Sequence, residues 1–593
     1  MLRSSTSLST LFFQSDDPAP EERRLEYLTR WDGAGTAAVL ADGGAAIWVQ
    51  PTIRLGRNGR IGGDARLTSV VEWQGLSTAL QRTGLQLIHI PTVMDQVWND
   101  EPDPERRRPD FSKIVAKLHE IDYTGVSWRD KVTAVREELR ALGADAMVVT
   151  ALDEVAWLLN VRGRDVPYAP LLKAFVIVSL KDVRVFAPPG KLSMPVREAL
   201  AVYNCFSHNC TRVIDYTTIH TELRRSSESK ILIPAGGTFQ RGASAAIAQS
   251  VPQAKRFFQL SPIIYLKAMK NEAEAKGMRK AHLRDAVAMC TLFLNLYKCV
   301  HKKLCYFDGT RETQAGFVGA SMKTRVAFSS NAAVPDYRPN PVNNKRIFKN
   351  ATLVIQSGGQ YSEGTTEVTR TVHFGIPTRE ERRAYTTVLR SVAALAMLTM
   401  PAVLPAAHAD PVARAPLWAA KQDYPHPTGH GVGAALNRKE GKTSTVIKIR
   451  PLRYFLRYLF IFLFYVNSFK DFGVKLGNVL EVVLKPYNGY LGFREATLLP
   501  YEPKLIDRSL LTEYEISWLN SYNDRIRKTV GPELKAQGLT DVYYWMMNKT
   551  VAILPPSKAK DKHNSANSYA NIRDFKITGL VTLIVISREL FLL

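Results

Sequence analysis

The strongest constraint on the fold is a hairpin pattern just beyond the middle of the chain. ATLVI (351–355) and TRTVHF (369–374) have the composition of strands, and the segment between them is rich in Gly, Ser and Thr. A tight hairpin of this kind presents side chains from both strands to one site. Its acidic residues are Glu363 and Glu367, but the first position suited to a ligand carries an amide, Gln356. The pattern therefore predicts the frame of a metal site and leaves open whether a metal still binds.

The first half of the chain alternates helical and strand-like segments. Residues 126–150 combine an amphipathic helix, a glycine stop and a buried strand, and further strands follow at 173–180 and 182–189. The Pro-rich acidic linker 99–111 separates this part from an earlier block with strand-like runs. We predict an α/β (α+β) fold. The predicted segments are 21–120 and 121–260 as two α/β domains, 261–550 as a larger C-terminal domain, and 551–593 as an irregular tail.

The C-terminal domain is predicted from longer amphipathic segments. The segment that starts at Thr378 has a Thr cap and an acidic first turn, which is typical of a helix start. The predicted helices are 267–302, 378–398 and 510–534, and the predicted later strands are 476–485 and 494–503.

Composition excludes several classes of protein. The 593 residues are 46% hydrophobic and 23% charged, which is ordinary for a globular protein. The net charge of +24 is spread along the chain without a nucleic-acid-binding motif, so we expect no specific nucleic-acid partner. The five cysteines form no CxxC pair and are expected to be reduced.

Membrane association is expected to be absent, with two alternatives. The apolar tail 577–593 faintly resembles a GPI-attachment signal, but Arg588 and Glu589 interrupt it. The aromatic and basic segment 443–470 contains only nine consecutive apolar residues, too few to span a bilayer, although it could lie on a membrane surface. We predict a cytoplasmic protein, with a secreted or GPI-anchored form as the alternative.

Five ordered motifs resemble those of the Xaa-Pro aminopeptidases, and more closely the three-domain aminopeptidase P type. They are KAMKNEAEAKGMRKAHLRDAV, QSGGQYSEGTTEVTRTVHFG, HPTGHGVG, NVLEVV and TLLPYEPKLIDRSLLTEYEISWLN, within a resemblance that covers roughly 25–550. The resemblance implies two creatinase-like α/β domains and a C-terminal pita-bread domain. It also implies a dinuclear Mn²⁺ or Zn²⁺ centre, removal of a residue preceding proline, and commonly a dimer.

Compared with that family, the metal ligands are depleted. The family holds two cations with two Asp, one His and two Glu, and these cations share a hydroxide that attacks the amide. The first Asp, in DSGAQY, falls at Gln356, and the second, in TTDVTRT, falls at Glu367. His430 matches the His of HGTGHGVG, whereas the Glu of RLENVLEVV falls at Gly477. The Glu of the EPGYY segment has no counterpart that we can place, so the predicted metal set is Gln356, Glu367 and His430.

The substrate-side residues are also only partly retained. His426 matches the first His of HGTGH and, with His430, is a predicted catalytic residue. His426 and Arg370 are the predicted substrate-binding residues, with loop orientation as the alternative for Arg370. The His of IHY falls at Asp336, and the His of NVHEG falls at Lys439, in NRKEG.

Three hypotheses follow. The first, which the scatter of losses favours, is an inactive homologue that binds proline-containing peptides or dimerises with itself or an active relative. The second is residual peptidase activity on one metal. The third is an active enzyme whose segment 443–470 is a gene-model error, but Gln356, Asp336 and Lys439 lie outside that segment.

Overall fold

The computed structural model describes most of the chain. The described residues up to Ile553 belong to one compact unit. The tail 577–593 and most of 551–593 lie outside the described residues, as does Asp336. The described residues are 6–10, 19–29, 36–39, 45–48, 60–90, 93–202, 211–236, 241–299, 309–334, 337–440, 459–468, 471–486 and 489–554.

The first part of the chain forms a mixed sheet with helices. The strands pair in the order β3-β2-β1-β4-β5, with β1-β4 and β4-β5 parallel. The helix that follows β4 begins at a capping box, in which Ser69 and Glu72 satisfy each other's backbone N–H groups. The elements are β1 (Thr6–Thr10), α1 (Arg24–Thr29), β2 (Thr36–Val39), β3 (Ala45–Trp48), β4 (Arg60–Gly63), α2 (Val70–Gln81), β5 (Gln86–His89) and α3 (Val93–Asn99).

A second mixed sheet follows in the order β11-β10-β9-β7-β12-β13. The apolar face of the helix predicted within 126–150 packs on this sheet, and Val135 and Leu139 are fully buried there. The elements are β6 (Lys117–Leu118), α4 (Ile121–Thr124), α5 (Trp128–Ala141), β7 (Ala146–Val149), α6 (Leu152–Leu158), β8 (Val161–Arg162), β9 (Phe175–Ser179), β10 (Val183–Ala187), α7 (Met194–Ala199), β11 (Thr211–Asp215), α8 (Ile219–Arg224), β12 (Ile231–Pro234), α9 (Ala245–Ser250), β13 (Arg256–Gln259) and α10 (Ile263–Ala268).

The C-terminal part is built on a larger sheet in the order β15-β16-β19-β23-β22-β21, to which β24 adds beside β23. Its core lies between this sheet and the long helices, where Ile355, Tyr385 and Ile526 are fully buried. The elements are α11 (Glu272–Cys299), α12 (Gly309–Glu312), β14 (Phe317–Ala320), β15 (Arg325–Phe328), β16 (Thr352–Ser357), β17 (Gly359–Tyr361), β18 (Gly364–Thr365), β19 (Val368–His373), α13 (Arg379–Ala396), β20 (Thr399–Pro401), α14 (Ala409–Ala419), β21 (Gly429–Gly431), β22 (Leu459–Ser468), β23 (Phe472–Leu484), β24 (Tyr490–Glu495), α15 (Glu513–Ala536) and α16 (Thr540–Lys549).

Two predicted elements differ from the structure. The helix predicted over 267–302 begins at Glu272, because Asn271 and Glu274 cap a new helix there. Asn271 Oδ1 accepts a hydrogen bond from the Glu274 backbone N–H, and Glu274 Oε2 accepts one from the Asn271 backbone N–H. The strand predicted over 494–503 ends at Glu495. Beyond it, the carbonyls of Leu499 and Pro500 accept hydrogen bonds from the Arg370 side chain, so that this backbone is satisfied without strand pairing.

The described part of the chain contains no helix that is long and apolar enough to cross a membrane. Part of the aromatic segment 443–470 forms β22, which pairs with β21 and β23, while 443–458 and 469–470 lie outside the described residues.

Candidate metal centre

The hairpin brings the first two predicted ligands into direct contact. β16 and β19 are antiparallel, with Gln356 opposite Thr369, and Glu367 lies one residue before β19. Gln356 Nε2 donates a hydrogen bond of 2.8 Å to Glu367 Oε1. Both residues are buried, with 5% and 0% of their surface exposed. The amide and the carboxylate therefore share one enclosed polar site.

A guanidinium group holds the other oxygen of this carboxylate. Arg438 Nη1 lies 2.9 Å from Glu367 Oε2. Because Gln356 donates to Oε1, each oxygen of Glu367 has a donor from the protein. A cation at this carboxylate would therefore lie beside the Arg438 guanidinium, whose positive charge repels it.

The ion pair controls the charge of Glu367. Burial alone would raise the pKa of this carboxyl. The positive charges of Arg438 and of His430, which is protonated at the low pH where Glu367 titrates, and the hydrogen bonds from Arg438 and Gln356 outweigh it and hold the pKa at about 2. His430 contributes little to this charge balance near neutral pH, because burial lowers its own pKa to about 4 and leaves it neutral. Glu367 is therefore an ionised carboxylate whose counter-charge is Arg438.

A second cationic side chain faces Gln356. Lys475 Nζ donates a hydrogen bond of 3.1 Å to Gln356 Oε1, the oxygen that would bind a metal. Lys475 lies in β23 two residues before Gly477, and alternate strand residues lie on the same face of a sheet. The amide oxygen therefore already has a protonated amine as its partner.

The two predicted histidines have different surroundings. In β21, His430 has Nε2 3.7 Å from Glu367 Oε2, while its Nδ1 lies 3.0 Å from the Gly431 carbonyl oxygen. His426 stacks on Tyr424 with ring centroids 4.9 Å apart, and burial lowers its pKa to about 4. Lys475 also lowers the pKa of His426, so this ring is near the same cationic group. The structure thus brings His430 to the carboxylate and places His426 at the edge of the cluster.

The position of one family glutamate is occupied by glycine. Gly477 pairs with Thr369 of β19 on one side and with Leu463 of β22 on the other. Glycine has no side chain, and the β22 sequence LFIFLFYVNS contains no Asp, Glu, His or Cys. The family glutamate that falls at Gly477 therefore has no side-chain counterpart, and the one carboxylate of β23, Glu481, pairs with Arg279 and Arg494.

Arg370 is held by the backbone. Its guanidinium donates to the carbonyls of Gly477, Leu499 and Pro500, and it lies 4.5 Å from the centre of the Tyr501 ring. The residue is 1% exposed. These contacts favour the interpretation that Arg370 orients loops over the predicted substrate contact.

The loop that carries Arg438 adds further positive charge. Lys439, which falls at a family histidine, lowers the pKa of His430 through its charge. Arg438 itself falls at the valine of the NVHEG motif, in NRKEG. Arg438 was not among the predicted site residues, although the NVHEG motif shows the substitution next to Lys439.

The donor set does not fit a dinuclear cation centre. Across the described residues, no group of three or more His, Cys, Asp or Glu side chains could hold a metal ion. The predicted ligands that lie together here are one carboxylate, one neutral imidazole and one amide, and the carboxylate is already neutralised by Arg438. Two divalent cations need more negative charge than one paired carboxylate provides.

Comparisons with known proteins agree with the fold. Residues 107–274 match the Creatinase/Prolidase N-terminal domain, 276–454 match Metallopeptidase family M24, and 489–553 match the C-terminal region of peptidase M24. The crystal structure of X-prolyl aminopeptidase from Caenorhabditis elegans, described as a cytosolic enzyme with a di-nuclear active site, superimposes with a TM-score of 0.82. The two sequences are 27% identical, and the superposition covers 93% of this chain and 95% of the Caenorhabditis elegans chain. The fold is therefore that of the pita-bread metallopeptidases with creatinase-like N-terminal domains.

Two curated relatives identify the family more closely. The probable Xaa-Pro aminopeptidase P of Talaromyces marneffei is 32% identical over 86% of this chain and 78% of its own length. Xaa-Pro aminopeptidase 2 of Homo sapiens is 32% identical over 85% of this chain and 75% of its own. The chain belongs to the Xaa-Pro aminopeptidase family. The predicted family and fold class are confirmed, while the domain boundaries and the roles of individual site residues stay predictions.

Proposed function

We propose that this chain is a non-hydrolytic member of the Xaa-Pro aminopeptidase family. The observation that carries the proposal is the buried ion pair between Arg438 and Glu367, 2.9 Å apart. A fixed cation at this carboxylate takes the place of the charge that a metal would supply. Lys475 on Gln356 and the missing side chain at Gly477 support the same conclusion.

Hydrolysis of the bond before proline depends on chemistry that the described residues of this site do not supply. In the family, two divalent ions supply an activated hydroxide and polarise the amide carbonyl. Here His430 is neutral near pH 7, and Glu367 keeps both oxygens on protein donors. Neither side chain is arranged to activate water as a general base, because the one carboxylate is held well below its ordinary pKa.

The remaining role is recognition. We propose proline-containing peptides as the ligand class, since the relatives are named for Xaa-Pro substrates. A homodimer, or a heterodimer with an active relative, stays a prediction that light scattering tests. A cytosolic location is likewise proposed from the description of the Caenorhabditis elegans relative, and cell fractionation tests it.

The test of the proposal measures metal and turnover on one sample. The purified chain is incubated with Mn²⁺ or Zn²⁺, dialysed, and measured for metal content and for release of arginine from an Arg-Pro-Pro peptide. We expect no stoichiometric metal and no turnover. Turnover with two metals per chain would refute the proposal, and turnover with one metal would establish the residual-activity alternative, for which the 3.7 Å approach of His430 to Glu367 is the structural support.

A matched variant shows whether these positions are responsible. Gln356→Asp, Glu367→Asp, Arg438→Val and Gly477→Glu, combined in one chain, restore the residue types of the family motifs. We expect this variant to retain more metal than the wild-type chain after the same dialysis. If it folds, as circular dichroism would show, yet retains no more metal, the argument from these four positions is wrong.

A further inference from the structure

A cavity of about 580 Å³ lies among the N-terminal elements, apart from the candidate metal centre. Its wall includes Thr68 and Ser69 before α2, Tyr216 and Thr217 before α8, and Asn437 from the C-terminal part. None of the predicted metal or catalytic residues lines it. Small-molecule sites commonly have volumes of roughly 300–1,000 Å³, so this cavity is of ligand size.

The wall of the cavity carries more positive than negative side chains. Its acidic residues are Glu22 and Asp95. Glu22 pairs with Lys173 and Arg24, and Asp95 pairs with Arg24 and Arg108. The cationic residues of the wall are Arg24, Arg66, Arg108, Lys173 and Arg241. Two carboxylates therefore face five cations on the wall itself.

Two of these arginines have donors left for a ligand. Arg66 uses Nε and Nη2 for Asp64, which does not line the cavity, and among the described residues its Nη1 has no acceptor. Arg108 donates from Nε to the Glu21 carbonyl and pairs through Nη1 with Asp95. Among the described residues, its Nη2 also has no acceptor. Guanidinium groups with free donors bind carboxylate and phosphate oxygens strongly.

The same wall offers flat apolar surface. Phe175 and Tyr216 stack with ring centroids 4.9 Å apart, and both line the cavity. Phe111 lies under the Lys173 ammonium at 4.3 Å, and Ile219 and Ile247 add aliphatic surface. A ligand that fills this space therefore combines an apolar, ring-like part with a charged end.

We propose that the cavity binds a small organic anion, with its carboxylate or phosphate group on Arg66 and Arg108 and its apolar part against Phe175 and Tyr216. The site is separate from the candidate metal centre, so it does not depend on whether the chain hydrolyses peptides. It reaches the C-terminal part through Asn437, the residue before Arg438.

The proposal is tested by calorimetric titration with four probes on the full chain. Phenyl phosphate and phenylacetate carry both a ring and an anion, inorganic phosphate carries only the anion, and benzyl alcohol carries only the ring. We expect one saturable site for phenyl phosphate or phenylacetate, at least about tenfold tighter than for either single-feature probe. Whichever of the two binds more tightly identifies the source of the anion, and failure of both to saturate at millimolar concentrations overturns the proposal.

Two variants tie the binding to this cavity. Arg66→Gln removes one cationic donor, and Thr217→Trp fills the exposed rim without changing any charge. Each is expected to weaken binding by about tenfold or more, whereas Lys528→Gln, an exposed cation of α15 that pairs with Asp524, is expected to leave it unchanged. Binding that persists undiminished in both Arg66→Gln and Thr217→Trp refutes the assignment of the ligand to this cavity.

Discussion

Replacing Arg438 by the valine of the family motif tests the ion pair at the centre of the proposed function. Glu367 is fully buried, and its pKa is held at about 2 against an ordinary value of 4.5. One pKa unit corresponds to about 1.4 kcal/mol, so below pH 4, where His430 is also charged, these partners favour the ionised carboxylate by about 3 kcal/mol. At neutral pH the His430 charge is absent and the contribution is smaller, with Arg438 as its main source. Arg438→Val leaves this carboxylate buried without its counter-charge, which typically costs about 3–5 kcal/mol.

Differential scanning calorimetry measures the effect. In a compact unit of this length, a loss of this size corresponds to a fall in Tm of roughly 2–4 °C. Glu367→Gln removes the charge that Arg438 balances, so we expect Arg438→Val to cost much less in a Glu367→Gln chain than in the wild-type chain. Lys528→Met, which breaks an exposed i,i+4 pair, is the control and is expected to cost less than about 1 kcal/mol.

The pH dependence of stability is an independent test, because its direction differs between the wild-type chain and Arg438→Val. In the wild-type chain the folded pKa of Glu367 is lowered, so its stabilisation is present above pH 4.5 and is lost as the pH falls through about 2. Without Arg438, burial dominates and raises the folded pKa above the unfolded value, and the destabilisation then shrinks as the pH falls from 7 toward 4.5. The reasoning is refuted if Arg438→Val costs no more than Lys528→Met, or if its cost is independent of both Glu367→Gln and pH.

Two further predictions concern the frame of the site and its neighbouring domain. In the hairpin, Gly358→Ala places a Cβ against the Thr366 carbonyl oxygen and Ser321 Oγ, so we expect the free energy of unfolding to fall by about 3 kcal/mol. Gly319→Ala is the control, because the space around Gly319 is open and Tm should change little. Equal changes of Tm in the two variants would contradict this prediction. Burial lowers the pKa of Lys131 to about 7. Between pH 7 and 10.5 the unfolded chain therefore binds more protons than the folded chain, and stability rises with pH. Lys131→Met should flatten that rise in a series of denaturation midpoints, and an unchanged slope would show that Lys131 is charged in the folded chain.

Much of the local structure was predictable because short-range hydrogen bonds fix it. Thr378 with Glu381, and Thr512 with Glu515, form capping boxes at the starts of α13 and α15. The predicted strands at 351–355 and 369–374 form β16 and β19, which pair antiparallel. The strand predicted at 494–503 was wrong beyond Glu495, because the backbone after it is satisfied by a side chain distant in sequence.

The role of Arg370 could not be predicted from the sequence. A charged residue in the TTDVTRT-like motif is compatible with a substrate contact as well as with a structural role. Only the structure shows that carbonyls of Gly477, Leu499 and Pro500, more than a hundred residues away, converge on its guanidinium. A resemblance in sequence gives the residue type at a position, but not the groups that surround it.

The sequence by itself determined the family, the fold class, most of the helices and strands, and the loss of ligand side chains at Gln356 and Gly477. These follow from residue identity and from contacts between near neighbours in the chain. Only the tertiary structure decided what stands beside Glu367. Arg438 reaches it across 71 residues and Lys475 reaches Gln356 across 119, because the sheet places β16, β19 and β23 side by side and the loop after β21 over them. A buried carboxylate must find a counter-charge when no metal supplies it, and that partner is selected by proximity in the folded chain.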